Sequence, residues 1–313
     1  MFSTACRDAQ TILNPDVECD VCFDWANHTP FQTDYHPMQL TMTDDYHFYP
    51  DELGEVEMSE ASGIAWSLKN PGYIWAHNDS GHANNLFLLD AENGQIVARY
   101  VVMGTHNYDW EDIEVSYGPD SDKSYIYIAD TGDNSQTRPN YTIYRFEEPR
   151  FEESHRGELV RIDDINVDRI RFTYPSGSYD TESMLVDPLT KDIFLITKRG
   201  EFSKLFVLPY PQPIETLHSI IKAGVFSFRQ ASAASSSISG DRIVIKNRQE
   251  IFYWKRGVNE TVVEMLSRVP EKAPYIGEPQ GEAICFDPED NYYTLSEALN
   301  SSTIPPLYKY NLK

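Results

Sequence analysis

The stretch DWEDIEV, Asp109–Val115, decides how this chain is read. Ile113 and Val115 alternate as they would on a half-buried strand, and Glu111 falls in the same phase. A carboxylate that follows apolar residues toward a core is costly unless something positive meets it. The bland alternative is a strand that starts one residue later, leaving Glu111 in a solvated turn. Four further stretches share the pattern: YDTESMLVD (Tyr179–Asp187) with Glu182, QGEAICFDPED (Gln280–Asp290) with Glu282, EASGIAWS (Glu60–Ser67) with Ser62, and QASAASSSISGDRIVIK (Gln230–Lys246) with Ser232. Each leads through a turn into a second β-rich run: YIWAHND, YIYIAD, DIFLITK, RIVIK and NYYTLSE.

Ser62, Glu111, Glu182, Ser232 and Glu282 are spaced by 49, 71, 50 and 50 residues. Self-similarity at about 40 to 50 residues is the signature of β-propeller blades. The long step contains a charged insertion, Phe146–Asp168, that has no inner strand of its own. The expectation is therefore an all-β, five-bladed propeller, with six blades as the alternative count. Residues 1–57 read as an N-terminal, Cys-containing arm and residues 58–313 as the propeller. Within the arm, YHFYPDELGEVE (Tyr46–Glu57) reads as an outer strand that closes the ring against PLYKYNLK (Pro306–Lys313), leaving no unpaired edge.

Composition agrees with one such domain. The chain has 313 residues, 13% aromatic with 20 Tyr, and Gly and Pro punctuate it as turns. It has no apolar run of membrane-spanning length. A net charge of −23 lacks the basic footprint that nucleic acids or anionic membranes require. The opening MFSTACRDAQ is not an apolar leader, which fits a cytosolic protein or a mature secreted chain. Sequons at Asn27, Asn78, Asn140, Asn259 and Asn300, and an even number of cysteines, favour the secreted, disulfide-bonded glycoprotein. Cys6, Cys19 and Cys22 can pair among themselves or with Cys285, and spacing does not choose.

In a propeller the first strand of each blade lines the central channel, so equivalent positions converge on the axis. Three carboxylates and two hydroxyls brought together there repel unless a cation joins them. An oxygen-only set, Ser62, Glu111, Glu182, Ser232 and Glu282, suits a hard ion, and calcium accepts irregular cages of that kind. A hydrated polar channel is the alternative.

The pattern resembles the calcium-activated apyrases, secreted five-bladed propellers that hydrolyse nucleoside di- and triphosphates. In that family the inner strands supply Ser, Glu, Glu, Ser and Glu in this order to an axial calcium, and the matching positions are those five residues. HNDSG (His77–Gly81), ITKRG (Ile196–Gly200) and VIKNRQ (Val244–Gln249) stand where the family has an acidic turn, a basic turn and a Lys. The match is sparse, and HNDSGHANN, DWED and DTGDNSQTR are instead similar to a broader group of secreted propellers without an assigned activity.

Strand two runs antiparallel to strand one, so its end lies on the same face of the disc as the ring. Those ends carry Asn78, Asp79, Asp130, Asp133, Asn134 and Glu297 on blades one, two and five. Lys198, Arg199, Lys246 and Arg248 lie on blades three and four, with Arg138 after the blade-two turn. A metal with Lys and Arg suits an anionic ligand. In a hydrolase, Asp79 or Asp112 would orient or deprotonate water, and His77 is a further candidate base. The competing expectation is a non-catalytic, calcium-stabilised propeller that binds a glycan or a protein. The basic residues discriminate: aimed over the metal they favour hydrolysis, and paired with acids of neighbouring blades they favour binding.

Overall fold

The computed structural model describes residues 21–214, 216–300 and 302–313. Five antiparallel units stand around an axis, and the inner strand of each packs on the inner strand of the next until the fifth meets the first. The inner strands are Ala61–Trp66, Trp110–Tyr117, Thr181–Val186, Ala233–Ser236 and Gly281–Phe286. The seconds are Tyr73–Asn78, Ser124–Asp130, Ile193–Thr197, Arg242–Lys246 and Tyr292–Ser296. The count of five is thus met. Ring closure is too: Asp51–Glu55 from the arm pairs antiparallel with Pro306–Tyr310 and supplies blade five's outer strand.

On four of the five blades a borrowed strand covers the outer edge. The insertion after Tyr141–Glu147 of blade two crosses to blade one, where Leu159–Ile162 pairs in parallel with Ile96–Val102. It then returns as blade two's fourth strand, Asp168–Thr173. His218–Ser219, from blade three, covers Asp168–Thr173, and Phe31–Gln32 of the arm covers Ile221–Val225 of blade three. Between blades the alternating strand faces bury aromatic stacks such as Phe226, Phe228 and Phe252. Such rings carry large buried area with defined contact geometry. Cys285 is a buried free thiol, so the arm is not stapled to the last blade; Cys6 and Cys19 lie outside the described residues.

The phase assigned to Glu111 changes in the structure. Trp110 pairs with Asp130 and Asp112 with Ala129, so Glu111 is the extra residue of a β-bulge. Ser62, Glu182 and Glu282 occupy the same bulged position in blades one, three and five. A bulge removes one residue from the ladder and re-aims its side chain. It lets Glu111 leave the apolar face while Ile113 and Val115 stay packed between blades one and two.

Candidate functional site at the mouth of the channel

Four of the five ring positions open onto one cavity of about 350 Å³, lined by Ser62, Asp79, Glu111, Asn134, Glu182, Lys198, Arg199, Gln230, Arg248, Glu282 and Glu297. The fifth, Ser232, donates its hydroxyl to the Gly281 carbonyl at 3.1 Å. Ser62 donates likewise to the Glu111 carbonyl at 2.8 Å, and Thr131 to that of Thr181 at 2.7 Å. These hydroxyls latch blade one to two, blade two to three and blade four to five.

Glu111 is 5% exposed. Among the described residues no hydrogen bond or ion pair reaches its carboxylate. Burial, and then the charges of Glu182, Asp79 and Asp109, push its pKa well above the usual carboxylate range. Its ligand-capable oxygen lies within 4.8 Å of those of Asp79 and Asp109, and also of those of Asp180 and Glu182. Gly132 backs this cluster: a Cβ there would overlap Glu111 Oε1 and the Asp109 carboxylate. Asp109 is held up at about 6 by burial and by Asp79.

The other ring glutamates meet protein cations. Lys198 Nζ contacts Glu182 and lies 3.5 Å from Glu282. Burial alone would lower the Lys198 pKa, but the two carboxylates outweigh it and push it up to about 12. Arg248 donates Nη2 to Glu282 at 2.7 Å, and Arg199 Nε stands 2.7 Å from Asp180 Oδ2 while its Nη2 contacts Asn134. One oxygen of buried Glu282, Oε2, keeps no partner among the described residues. Glu297 is pushed to about 7 by burial and then by Glu282 and Asp79.

Several residues assigned from sequence lie elsewhere. Asp112 is buried inside the channel, where Oδ2 accepts the backbone N–H of Met184 at 2.8 Å and of Ala234 at 3.2 Å. Below it Glu114 accepts the Ser236 N–H at 3.2 Å. Inner strands expose an unpaired edge to the channel, and these two acids of blade two satisfy the edges of blades three and four. His77 is fully buried against Trp110 rather than in the cavity lining, and burial lowers its pKa to about 4. Lys246 is buried with Glu278 at 3.3 Å and lies over the Tyr275 ring. Asp130 and Arg138 pair at 2.9 Å, and Asp133 accepts the backbone N–H groups of Thr137 and Arg138. Asn78 is half-buried, with its Oδ1 unpartnered and its own carbonyl accepting from Asn107 at 3.2 Å.

Asp109 and Asp180 were absent from the expected site, although the sequence carries their signal. Two residues before each ring position stands an acid or an amide: Glu60, Asp109, Asp180, Gln230 and Gln280. On blades two and three that residue stands beside the Glu111 carboxylate, and on blade four Gln230 lines the cavity itself.

No family model matches the chain and no curated protein is similar to it, so the apyrase resemblance rests on its sparse positions alone. Among solved structures, the chain is similar to one titled as a nidogen/laminin complex, at 7% identity and a TM-score of 0.44, over 76% of this chain and 72% of that one.

Proposed function

We propose that the mouth holds a divalent cation, calcium in preference to magnesium, and that this ion and the neighbouring arginines bind a small anionic ligand. The supporting observation is the Glu111 carboxylate: buried, surrounded by Asp79, Asp109, Asp180 and Glu182, and with no ion pair among the described residues, the Lys198 charge being outweighed by burial and by these acids. An uncompensated buried carboxylate costs several kcal/mol, about as much as breaking a buried pair. A proton or a metal ion removes that cost. Calcium suits the irregular oxygen set, since magnesium demands near-octahedral geometry and sheds water reluctantly.

Lys198, Arg199 and Arg248 pair with acids of their own or neighbouring blades, and two of the three residues assigned to activating water are sequestered. Both facts favour binding over hydrolysis. Arg199 and Arg248 are nevertheless about half exposed at the mouth, with N–H groups left for a phosphate or carboxylate. The second reading, calcium-assisted hydrolysis of a phosphoanhydride or phosphoester, has its own support. Glu297 lines the same cavity with no ion pair among the described residues, accepts from Gln280 Nε2 at 3.0 Å, and would act as the base in this reading. A secreted glycoprotein agrees with Asn27, Asn140, Asn259 and Asn300 being exposed.

Thermal melting with calcium, magnesium or EDTA, on wild type and Glu111→Gln, tests the ion. At a hundred times its Kd, calcium stabilises by about 2.7 kcal/mol. For a chain of this length that raises Tm by roughly 4 °C. Glu111→Gln should abolish the rise. Calcium-dependent phosphate release from a nucleotide panel in the same samples would decide for hydrolysis. A wild-type Tm indifferent to calcium would sink the cation site.

A further inference from the structure

We propose that the cation sits off the axis, on Asp79, Asp109 and Glu111, while the Lys198 ammonium holds the axial place as a tethered cation. This rests on the cation reading above and refines it. A calcium ion binds oxygen at about 2.3–2.6 Å, so two of its ligands stand at most about 5 Å apart. The oxygens of Asp79, Asp109 and Glu111 meet that condition within 4.8 Å, with no side chain moved. No Lys, Arg or His pairs with any of the three among the described residues. Glu111 adds an independent observation, being buried, turned into the cavity and without a hydrogen-bond partner.

The neighbouring set is already neutralised. Glu111, Asp180 and Glu182 are equally close, yet Arg199 stands on Asp180 and Lys198 on Glu182. Glu282 receives both Arg248 and Lys198. Of the three ring glutamates, two therefore make an ion pair, whereas the Lys198 charge reaches Glu111 without pairing with it. An axial ion between Glu182 and Glu282 would have to displace the Lys198 ammonium, whereas an ion over Asp79 and Asp109 displaces nothing. Removing the ammonium leaves Glu182 without its cation and Glu282 with Arg248 alone, which opens a second seat.

Calorimetric titration of metal-stripped full-length chain with calcium chloride distinguishes the arrangements. Wild type should bind one ion. Asp109→Asn should weaken binding by roughly 100-fold, because a charged ligand is lost. Glu282→Gln should change it by no more than about threefold, acting only as a screened neighbour. Lys198→Met should bind two ions. A severe loss in Glu282→Gln with Asp109→Asn unaffected would put the ion on the axis and overturn the proposal. One ion in Lys198→Met, or two in wild type, would also overturn it. No binding by wild type would instead refute the cation reading itself. Melting of each variant in EDTA verifies folding, and Asp79→Asn reads the same seat if Asp109→Asn does not fold.

Discussion

Glu114→Gln tests whether the channel is plugged by a neutral acid. Burial pushes the Glu114 carboxyl from its usual 4.5 to about 8, against the opposing hydrogen bonds from Ser236 and Ser235. The unfolded chain releases this proton near pH 4.5, while the fold keeps it up to about pH 8. The unfolded state thus binds fewer protons across that window, and stability falls as pH rises through it. Each pKa unit corresponds to about 1.4 kcal/mol, so the full window costs up to about 5 kcal/mol. Gln keeps the shape and an acceptor oxygen for Ser236, and never ionises. The variant should match wild type near pH 5 and exceed it at pH 8 by about 3 to 5 kcal/mol. For 313 residues that is roughly 5–8 °C in Tm. Melting at pH 5, 6, 7 and 8 in EDTA, which excludes any ion effect, measures the difference. A pH-independent difference, or a variant less stable at pH 8, would mean that Glu114 is ionised and that its charge holds the edge of blade four.

Gly132→Ala should displace the Glu111 and Asp109 carboxylates, because its methyl overlaps both, and lower calcium affinity by about tenfold or more in the same titration. Its Tm in EDTA should fall by only a few degrees, which separates a damaged seat from a damaged fold. Thr261→Ala removes the cap of the helix Val262–Ser267, where Oγ1 accepts the Glu264 N–H at 3.2 Å. It should cost about 1 kcal/mol in urea denaturation, without altering calcium binding.

The blade repeat was legible because an inner strand, a turn and a follower recur with polar residues at one fixed place. Legible too was the closing strand, since Tyr46–Glu57 had no other partner that would leave the ring without an edge. The bulges were not legible. Strict alternation puts Glu111 with Ile113, and only the pairing of Trp110 and Asp112 across Glu111 shows that the phase breaks there. That one slip hid the roles of Asp112 and Glu114, which alternation assigns away from the core and the structure buries in the channel. Strand ends were over-read: His77, Lys246 and Asp133 sit at the expected level of the disc, but their side chains turn into blade interiors or turns. Sequence fixes the level of such a residue, whereas the rotamer that decides its partner depends on neighbours from other blades. Asp109 and Asp180 show the converse, because strand alternation assigns no role to the residue two places before each ring position, which the structure sets beside Glu111.

The borrowed outer strands set an order of events during synthesis. Phe31–Gln32 and Asp51–Glu55 are made well before their partners, Ile221–Val225 and Pro306–Tyr310. Blade one waits for Leu159–Ile162, and blade two for His218–Ser219. Blades one and two are therefore incomplete when their own strands have emerged, and pairing this distant in sequence folds slowly. Cutting the gene between blades should accordingly give fragments with raw sheet edges that aggregate rather than smaller working propellers.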